Sequence, residues 1–325
     1  MLETQQIQQF QELFKQSQKL VLINHIQMDP DAYGSLGAFY LVAKALGKEM
    51  IVINDELPPE DFAFLGINNI FQTSIDIEEF DPDMILSFDA ASEGRLGEIY
   101  VKNRDYIQGK NFVVFDHHST NPGFGNLNFV YPESPSTCEI IFELFEKMGL
   151  EKYISKEVAT LLTAGIHTDT NVFYNQNTRP ETLEIAAKLM RYGADFRGSI
   201  YNFFQSFSME KLKLYSTVGN KIVAYKNKKV FGSIVNQKDF DSIGATKDDT
   251  SGIINRLSNL KGAEIVFIIY EYENETKVSM RSKGYDVGKI CASFPGGGGH
   301  KNAAGFTSDL ATEKIIEKIL EQIEL

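Results

Sequence analysis

Five histidines occur in 325 residues, and each stands beside a carboxylate or a glycine run. His117 and His118 follow Asp116 at the end of the apolar run Asn-Phe-Val-Val-Phe. His25 opens His-Ile-Gln-Met-Asp-Pro-Asp, with Asp29 and Asp31 in the same turn of sequence. His167 precedes Asp169 by two, and His300 follows four glycines. With Asp89, this makes a pool of imidazole and carboxylate oxygen without thiolate. Such donors suit Mn²⁺, Fe²⁺, Co²⁺ or Mg²⁺ better than a structural zinc. Four carboxylates and two imidazoles exceed the needs of one catalytic ion that must keep an open position. They match two ions sharing a carboxylate, a pair that acidifies a bridging water and neutralises charge on a phosphoryl oxygen. Taken singly, a histidine is more often a packed core residue than a ligand; His167 is read as equally suited to either role.

Positioning such groups requires elements that end where the groups begin. Leu20–Asn24, Met84–Phe88 and Phe112–Phe115 are short apolar runs that read as buried strands, and they end at His25, Asp89 and the Asp116-His117-His118 triplet. Met50–Asn54 reads as a further strand. Helical spacing appears over about 2–17, 34–46, 137–148, 156–166 and 181–191, so strands and helices alternate and a parallel sheet is expected. In open α/β sheets the site lies beyond the carboxyl ends of the strands, which would gather His25, Asp89 and His117. Asp29-Pro30-Asp31 is read as a loop before the second helix.

Beyond a mixed stretch at about 193–213 the pattern changes. Strands are expected over 229–235, 263–270 and 276–281, and helices over 250–260, 286–293 and 308 to the end. The reading is an α/β chain. It has an N-terminal parallel-sheet domain over residues 1–195, a connection at 196–213 and a smaller α/β substrate-binding domain at 214–325, with the active site in the cleft between the domains. Length alone favours two cores. Glycines let backbone N–H groups approach a phosphate, so Gly296-Gly-Gly-Gly-Gly-His is read as an anion cradle and not as a linker. Lys277, Arg281, Lys283, Lys289 and Lys301 face a single acid, Asp286, over that interval.

The formal charge of −12 argues against long duplex nucleic acid, which needs a broad basic face. Two cysteines, Cys138 and Cys291, form no disulfide framework. The start of the chain lacks signal-peptide features and no apolar run is long enough for a bilayer, so a soluble cytoplasmic protein without membrane partners is expected.

The order His25-x3-Asp29-x-Asp31-x2-Gly34-Ser35, Asp89, Asp116-His117-His118, Asp169 resembles the four motifs of DHH phosphoesterases. Gly296-Gly-Gly-Gly-Gly-His300-Lys-Asn-Ala-Ala-Gly305-Phe resembles the signature of the DHH-associated C-terminal domain. Together the likeness covers nearly the whole chain, and it is greatest to the nano-RNase/pAp-phosphatase subgroup. It implies two divalent ions, Mn²⁺ foremost. One would lie on His25, Asp29 and Asp89, the other on Asp31, Asp89, His117 and Asp169. It gives Asp116 an orienting role in catalysis, turns His118 to the substrate phosphate, and assigns Arg281, Lys283, Gly297, Gly298, Gly299 and His300 to substrate binding. The implied substrates are short oligoribonucleotides such as pApA and 3′-phosphoadenosine 5′-phosphate (pAp); a homodimer is compatible with this. A cyclic-dinucleotide phosphodiesterase or an exopolyphosphatase is the rival enzyme, and a non-catalytic nucleotide sensor the rival from another class. Met28 and Pro30 stand where the family often has Pro and Gly, a departure that bears on the shape of that loop.

Overall fold

The structure, a computed structural model, describes residues 2–324. The chain divides into two compact units, Met1–Ser206 and Phe207–Leu325. No helix among the described residues is long and apolar enough to cross a membrane.

The first unit is built on six parallel strands in the order β3-β2-β1-β4-β5-β6. These are β1 (Lys19–Asn24), β2 (Glu49–Ile53), β3 (Phe71–Gln72), β4 (Met84–Phe88), β5 (Asn111–Asp116) and β6 (Leu127–Val130). β1, β4 and β5 lie side by side and are buried on both faces, which explains their continuous apolar runs. Helix α1 (Thr4–Gln16) seats Phe10 against Phe115 and Phe129, and its apolar face closes one side of the sheet. The two-residue β3 and the four-residue β6 were not expected, being too short to carry a period.

Helix α2 runs over Pro30–Ala45 and begins earlier than the spacing of its apolar residues predicts. Asp29, expected in a loop, is its N-cap and accepts from the amides of Asp31 and Ala32, each at 3.0 Å. Pro30 sits in its first turn, where the missing N–H costs nothing. Helices α3 (Thr137–Lys147) and α4 (Lys156–Asp169) pack beside it. The contact with α4 is close: a Cβ on Gly34 would lie 2.4 Å from the Leu161 carbonyl oxygen. Helix α4 extends three residues past the expected end at Ile166 and carries His167 and Asp169 in its last turn.

The second unit holds a mixed sheet in the order β11-β12-β10-β9-β8-β7. Its strands are β7 (Val223–Tyr225), β8 (Val230–Asn236), β9 (Ile265–Glu271), β10 (Thr276–Ser282), β11 (Gly298–His300) and β12 (Ala303–Ser308). Only β8 and β9 run parallel. The glycine run is therefore an edge strand that turns through Lys301-Asn302 into β12. The helices at Val287–Ala292 and Thr312–Glu321 cover one face, packing on Phe267, Val278, Met280 and Phe306. On the other face Leu214, Val218, Phe240 and Ile254 cover Val266 and Ile268 of β9, and β10 and β12 remain open on that side. The helix expected over 250–260 shortens to Ile253–Leu257, and Met209–Asn220 forms a helix that the sequence did not announce.

Candidate functional site

The carboxyl ends of β1, β4 and β5 bring His25, Asp89 and His117 together, and the ends of α2 and α4 add Asp29, Asp31 and Asp169. Ligand atoms lie within 4.8 Å of one another in three sets: His25, Asp29 and Asp89; Asp31, His117 and Asp169; and Asp89, His117 and His118. His25 Nε2 is 3.6 Å from Asp29 Oδ2 and 3.7 Å from Asp89 Oδ2. His117 Nε2 is 3.2 Å from Asp169 Oδ2, 3.5 Å from Asp89 Oδ1 and 4.0 Å from Asp31 Oδ2. Adjacent ligands of one ion stand about 3 Å apart when bonds to it are about 2.1 Å. The observed separations are close to that and longer than good hydrogen bonds.

Asp89 is common to both sides. Its φ of +58° aims the side chain back over the ends of the strands, a conformation that aspartate tolerates better than most residues. Its amide donates to Phe115 O at 2.8 Å. Thr137 Oγ1 donates to Oδ1 at 2.8 Å, while Oδ2 is buried without any hydrogen-bond partner. An orphaned buried carboxylate oxygen is costly, and a cation at this position would satisfy it. Asp31 is fully buried, and its carboxylate takes the amides of Thr137 (2.6 Å) and Cys138 (2.9 Å) at the N-terminus of α3. That positive helix end favours the anion. Even so, burial and the nearby charges of Asp89 and Asp29 push the Asp31 carboxyl well above the usual range. Burial, Asp31, Asp89 and Asp29 do the same to Asp169. Burial alone would lower His25, but its contacts with Asp29 and Asp89 raise it to about 10. Excess negative charge collected in a buried space is what divalent cations relieve, so these residues fit the ions.

The histidines divide by what their Nδ1 atoms meet. His25 Nδ1 donates to Ile26 O at 2.8 Å, which leaves Nε2 to face Asp29 and Asp89. His118 Nδ1 donates to Asp116 Oδ1 at 2.7 Å, and this hydrogen bond is the first cause of its raised pKa. The His118 side chain is 40% exposed, so its free Nε2 can meet a substrate. Asp116 is held at both oxygens: Oδ1 also takes the His117 amide and Oδ2 takes Asn121 Nδ2. It thus contacts the His118 ring and the His117 backbone. His167 joins none of the ligand sets; its ring lies edge-on to Phe173 and Phe196, with Ser199 Oγ 3.0 Å from Nδ1.

Four contributors were not read from the sequence as part of the site. Thr137 holds both Asp31 and Asp89. Asn121 holds Asp116. Arg95 donates to Ile26 O at 3.0 Å and stands 3.1 Å from His25 Nδ1. Gly165 leaves room for Asp31, since a Cβ there would lie 2.4 Å from Asp31 Oδ1. Each acts through a ligand and has no motif of its own, so only proximity shows it.

In the second unit, Arg281, Lys277 and Ser279 of β10 and Ala303, Gly305 and Thr307 of β12 line one open recess of ≈ 410 Å³, with Gly296 beside them. Opposed residues of an antiparallel pair share a face. Arg281 opposes Ala303, and Ala303 opposes His300, so His300 lies on the same face as the recess. Asn255 Oδ1 accepts from Arg281 Nε at 3.0 Å and fixes the guanidinium. Gly305 permits close strand packing, for a Cβ there would meet Val278 O at 2.7 Å. Gly297 is shut against the Cys291 carbonyl oxygen, Gly298 is open, and Gly299 takes φ +142°. Lys283 lies past the end of β10 and donates to Leu260 O at 3.3 Å, outside the recess lining.

Comparisons with known proteins give a family match in each of the two units. The DHH family N-terminal domain matches residues 19–166 and the DHHA1 domain residues 227–325. A Mycoplasma genitalium protein named bifunctional oligoribonuclease and PAP phosphatase NrnA is 30% identical over 302 residues, covering 90% of this chain and 89% of that one. The chain belongs to the DHH family. A Thermus thermophilus protein of the same name is 29% identical over 311 residues, covering 94% of this chain and 90% of that one. The crystal structure of an exopolyphosphatase-related protein from Bacteroides fragilis superposes with a TM-score of 0.88 at 24% identity, covering 98% of this chain and 95% of that one, which shows a shared fold. This DHH protein is a hydrolase that acts as a phosphodiesterase or phosphatase.

Proposed function

We propose that this DHH protein hydrolyses short oligoribonucleotides, pApA among them, to mononucleotides and converts pAp to AMP with two divalent ions, Mn²⁺ foremost. The observation that carries the reading is Asp89, whose carboxylate groups with His25 and Asp29 on one side and with His117 and His118 on the other, and whose Oδ2 is otherwise orphaned. His25, Asp29 and Asp89 would hold one ion, and Asp31, Asp89, His117 and Asp169 the other. When bound, such ions supply an acidified water and offset charge on the phosphoryl oxygens. The chain's own part is positioning. Asp116 fixes the His118 ring so that Nε2 donates to a non-bridging phosphate oxygen. Arg281, with its guanidinium fixed by Asn255, offers a fork for the substrate's other phosphate. Gly297, Gly298, Gly299 and His300 complete that contact, and Lys283 adds charge beyond it. Relatives of matching length that bear the oligoribonuclease and PAP phosphatase name support these substrates.

The test is the purified protein with Mn²⁺ on pApA, pAp, a pentaribonucleotide, a cyclic dinucleotide and polyphosphate, beside Asp89→Asn. Turnover of the first three, lost in Asp89→Asn, is the expected result. Preference for the cyclic dinucleotide or polyphosphate refutes the substrate assignment. Full activity of Asp89→Asn refutes the shared carboxylate.

A further inference from the structure

Every turn at one end of the second unit's sheet carries lysine. The strand registers bring together the start of β8 and β9, the end of β7, β10 and β11, and the start of β12. The connections there contain Lys226, Lys228 and Lys229 (β7 to β8), Lys261 (before β9), Lys283 (after β10) and Lys301 (β11 to β12). Backbone hydrogen bonds tie these turns to one another: Glu264 N to Lys229 O at 2.8 Å, Lys283 N to Glu264 O at 3.0 Å, and Ser282 N to Asn302 O at 3.0 Å. All six lysines are exposed, and none forms an ion pair among the described residues. Their acidic neighbours include Glu264, Asp286 and Glu324, whose backbone oxygen accepts from Tyr285 Oη at 3.4 Å, and Asp286 is already 3.6 Å from Lys289.

The opposite end of the same sheet mixes both signs: Glu271, Glu273, Glu275, Asp239 and Asp309 stand with Lys277 and Lys238, with Lys221 paired to Asp239 and with Lys247 paired to Glu275. The lysine-bearing end is thus the more one-signed of the two, in a chain whose formal balance is −12. Six strands at about 4.8 Å spacing make the basic rim about 24 Å across, more than one phosphate group can bridge. Its near end adjoins Arg281, the second-last residue of β10, and His300, the last residue of β11.

We propose that this lysine rim is a track for the phosphates of a single-stranded oligoribonucleotide that extends past the nucleotide held at Arg281 and His300. The inference rests on the oligoribonucleotide reading above. It makes the rim a determinant of substrate length: a pentaribonucleotide uses it, whereas pAp is too short to reach it. The hairpin lysines are the far end of the track, and Lys261 lies midway along it.

The test compares the full chain with a Lys226→Gln/Lys228→Gln/Lys229→Gln variant and with Lys261→Gln, all loaded with Mn²⁺. KM is measured for a pentaribonucleotide and for pAp at 50 and 200 mM salt. A pentaribonucleotide has two phosphates left beyond the scissile one and the one at Arg281, and each contact to a single strand contributes about 0.7 to the salt slope, so losing both lowers it by about 1.4. The wild-type KM for the pentamer should therefore rise up to about 7-fold more across that salt range than the triple variant's. Lys261→Gln should give a smaller change in the same direction, and KM for pAp should be unchanged in both. Equal slopes in wild type and triple variant overturn the track, as does an equal change in KM for pAp. If wild type turns over pAp but binds no pentaribonucleotide by fluorescence anisotropy, the substrate reading itself fails. Binding to anionic phospholipid vesicles that disappears in the triple variant, with pentamer binding retained, would assign the rim to a membrane surface and also overturn the proposal.

Discussion

Gly165 should be indispensable, although it lies in no motif. A Cβ at this position would stand 2.4 Å from Asp31 Oδ1, 2.4 Å from Cys138 Sγ and 2.8 Å from Asp31 Cα. None of these atoms is the loose end of a flexible side chain. Asp31 is pinned by the amides of Thr137 and Cys138, and Cys138 is completely buried. Restoring ordinary contact requires a retreat of about 1 Å, and overpacking of this kind costs about 1–3 kcal/mol. The second effect is on ion binding. Misplacing a ligand's support weakens metal affinity by about 10–100-fold. At Mn²⁺ set to 100 times the wild-type Kd, the ion stabilises the wild type by about 2.7 kcal/mol; a 100-fold weaker site retains about 0.4. The assay is denaturant unfolding of Gly165→Ala and wild type, each with and without Mn²⁺. Adding Cys138→Ala to Gly165→Ala should recover part of the intrinsic stability and none of the Mn²⁺ response. An undiminished Mn²⁺ increment in Gly165→Ala would refute the placement of Asp31 at an ion.

Arg95→Ala should weaken Mn²⁺ binding by about 10–100-fold by calorimetry, with substrate KM at saturating metal little changed, because Arg95 acts on His25 through Ile26 O. Thr137→Val should lower activity sharply and Thr137→Ser should restore it, since Asp89 needs the hydroxyl and not the methyl; equal activity of the two variants would remove Thr137 from the argument. His167 is held neutral by burial, its pKa lowered to about 4. The unfolded chain takes up a proton near pH 6.5 while the folded one does not, so stability falls as pH drops from 6.5 toward 4, by about 3 kcal/mol in all. His167→Gln should lack that portion of the acid loss when unfolding midpoints are compared between pH 7 and 4.5.

The buried strands and their ionisable ends were legible because parallel strands covered on both faces are written as short, continuous apolar runs. Leu20–Asn24, Met84–Phe88 and Phe112–Phe115 appear as such runs, and the residues after them define half the site. The start of α2 was not legible from apolar spacing, since Asp29, Pro30 and Asp31 belong to a cap and a first turn whose signal is local hydrogen bonding. The glycine run was read as a cradle, but its form as an edge strand depends on pairing with β12, which only the tertiary fold supplies. Thr137 and Gly165 escaped because a hydroxyl and a missing Cβ become informative only when Asp31 and Asp89 are beside them.

The left-handed backbone at Asp89 restricts what can replace it. Glycine, asparagine and aspartate accept that conformation readily, and other side chains strain it. Asparagine keeps the amide bond to Phe115 and can still accept from Thr137, yet it lacks the charge. Aspartate and asparagine codons differ by a single base. On the proposed reading, one transition would therefore separate the enzyme from a folded protein that keeps the second unit's recess and lacks the shared carboxylate, so an inactive binder would lie one mutational step away without passing through an unfolded intermediate.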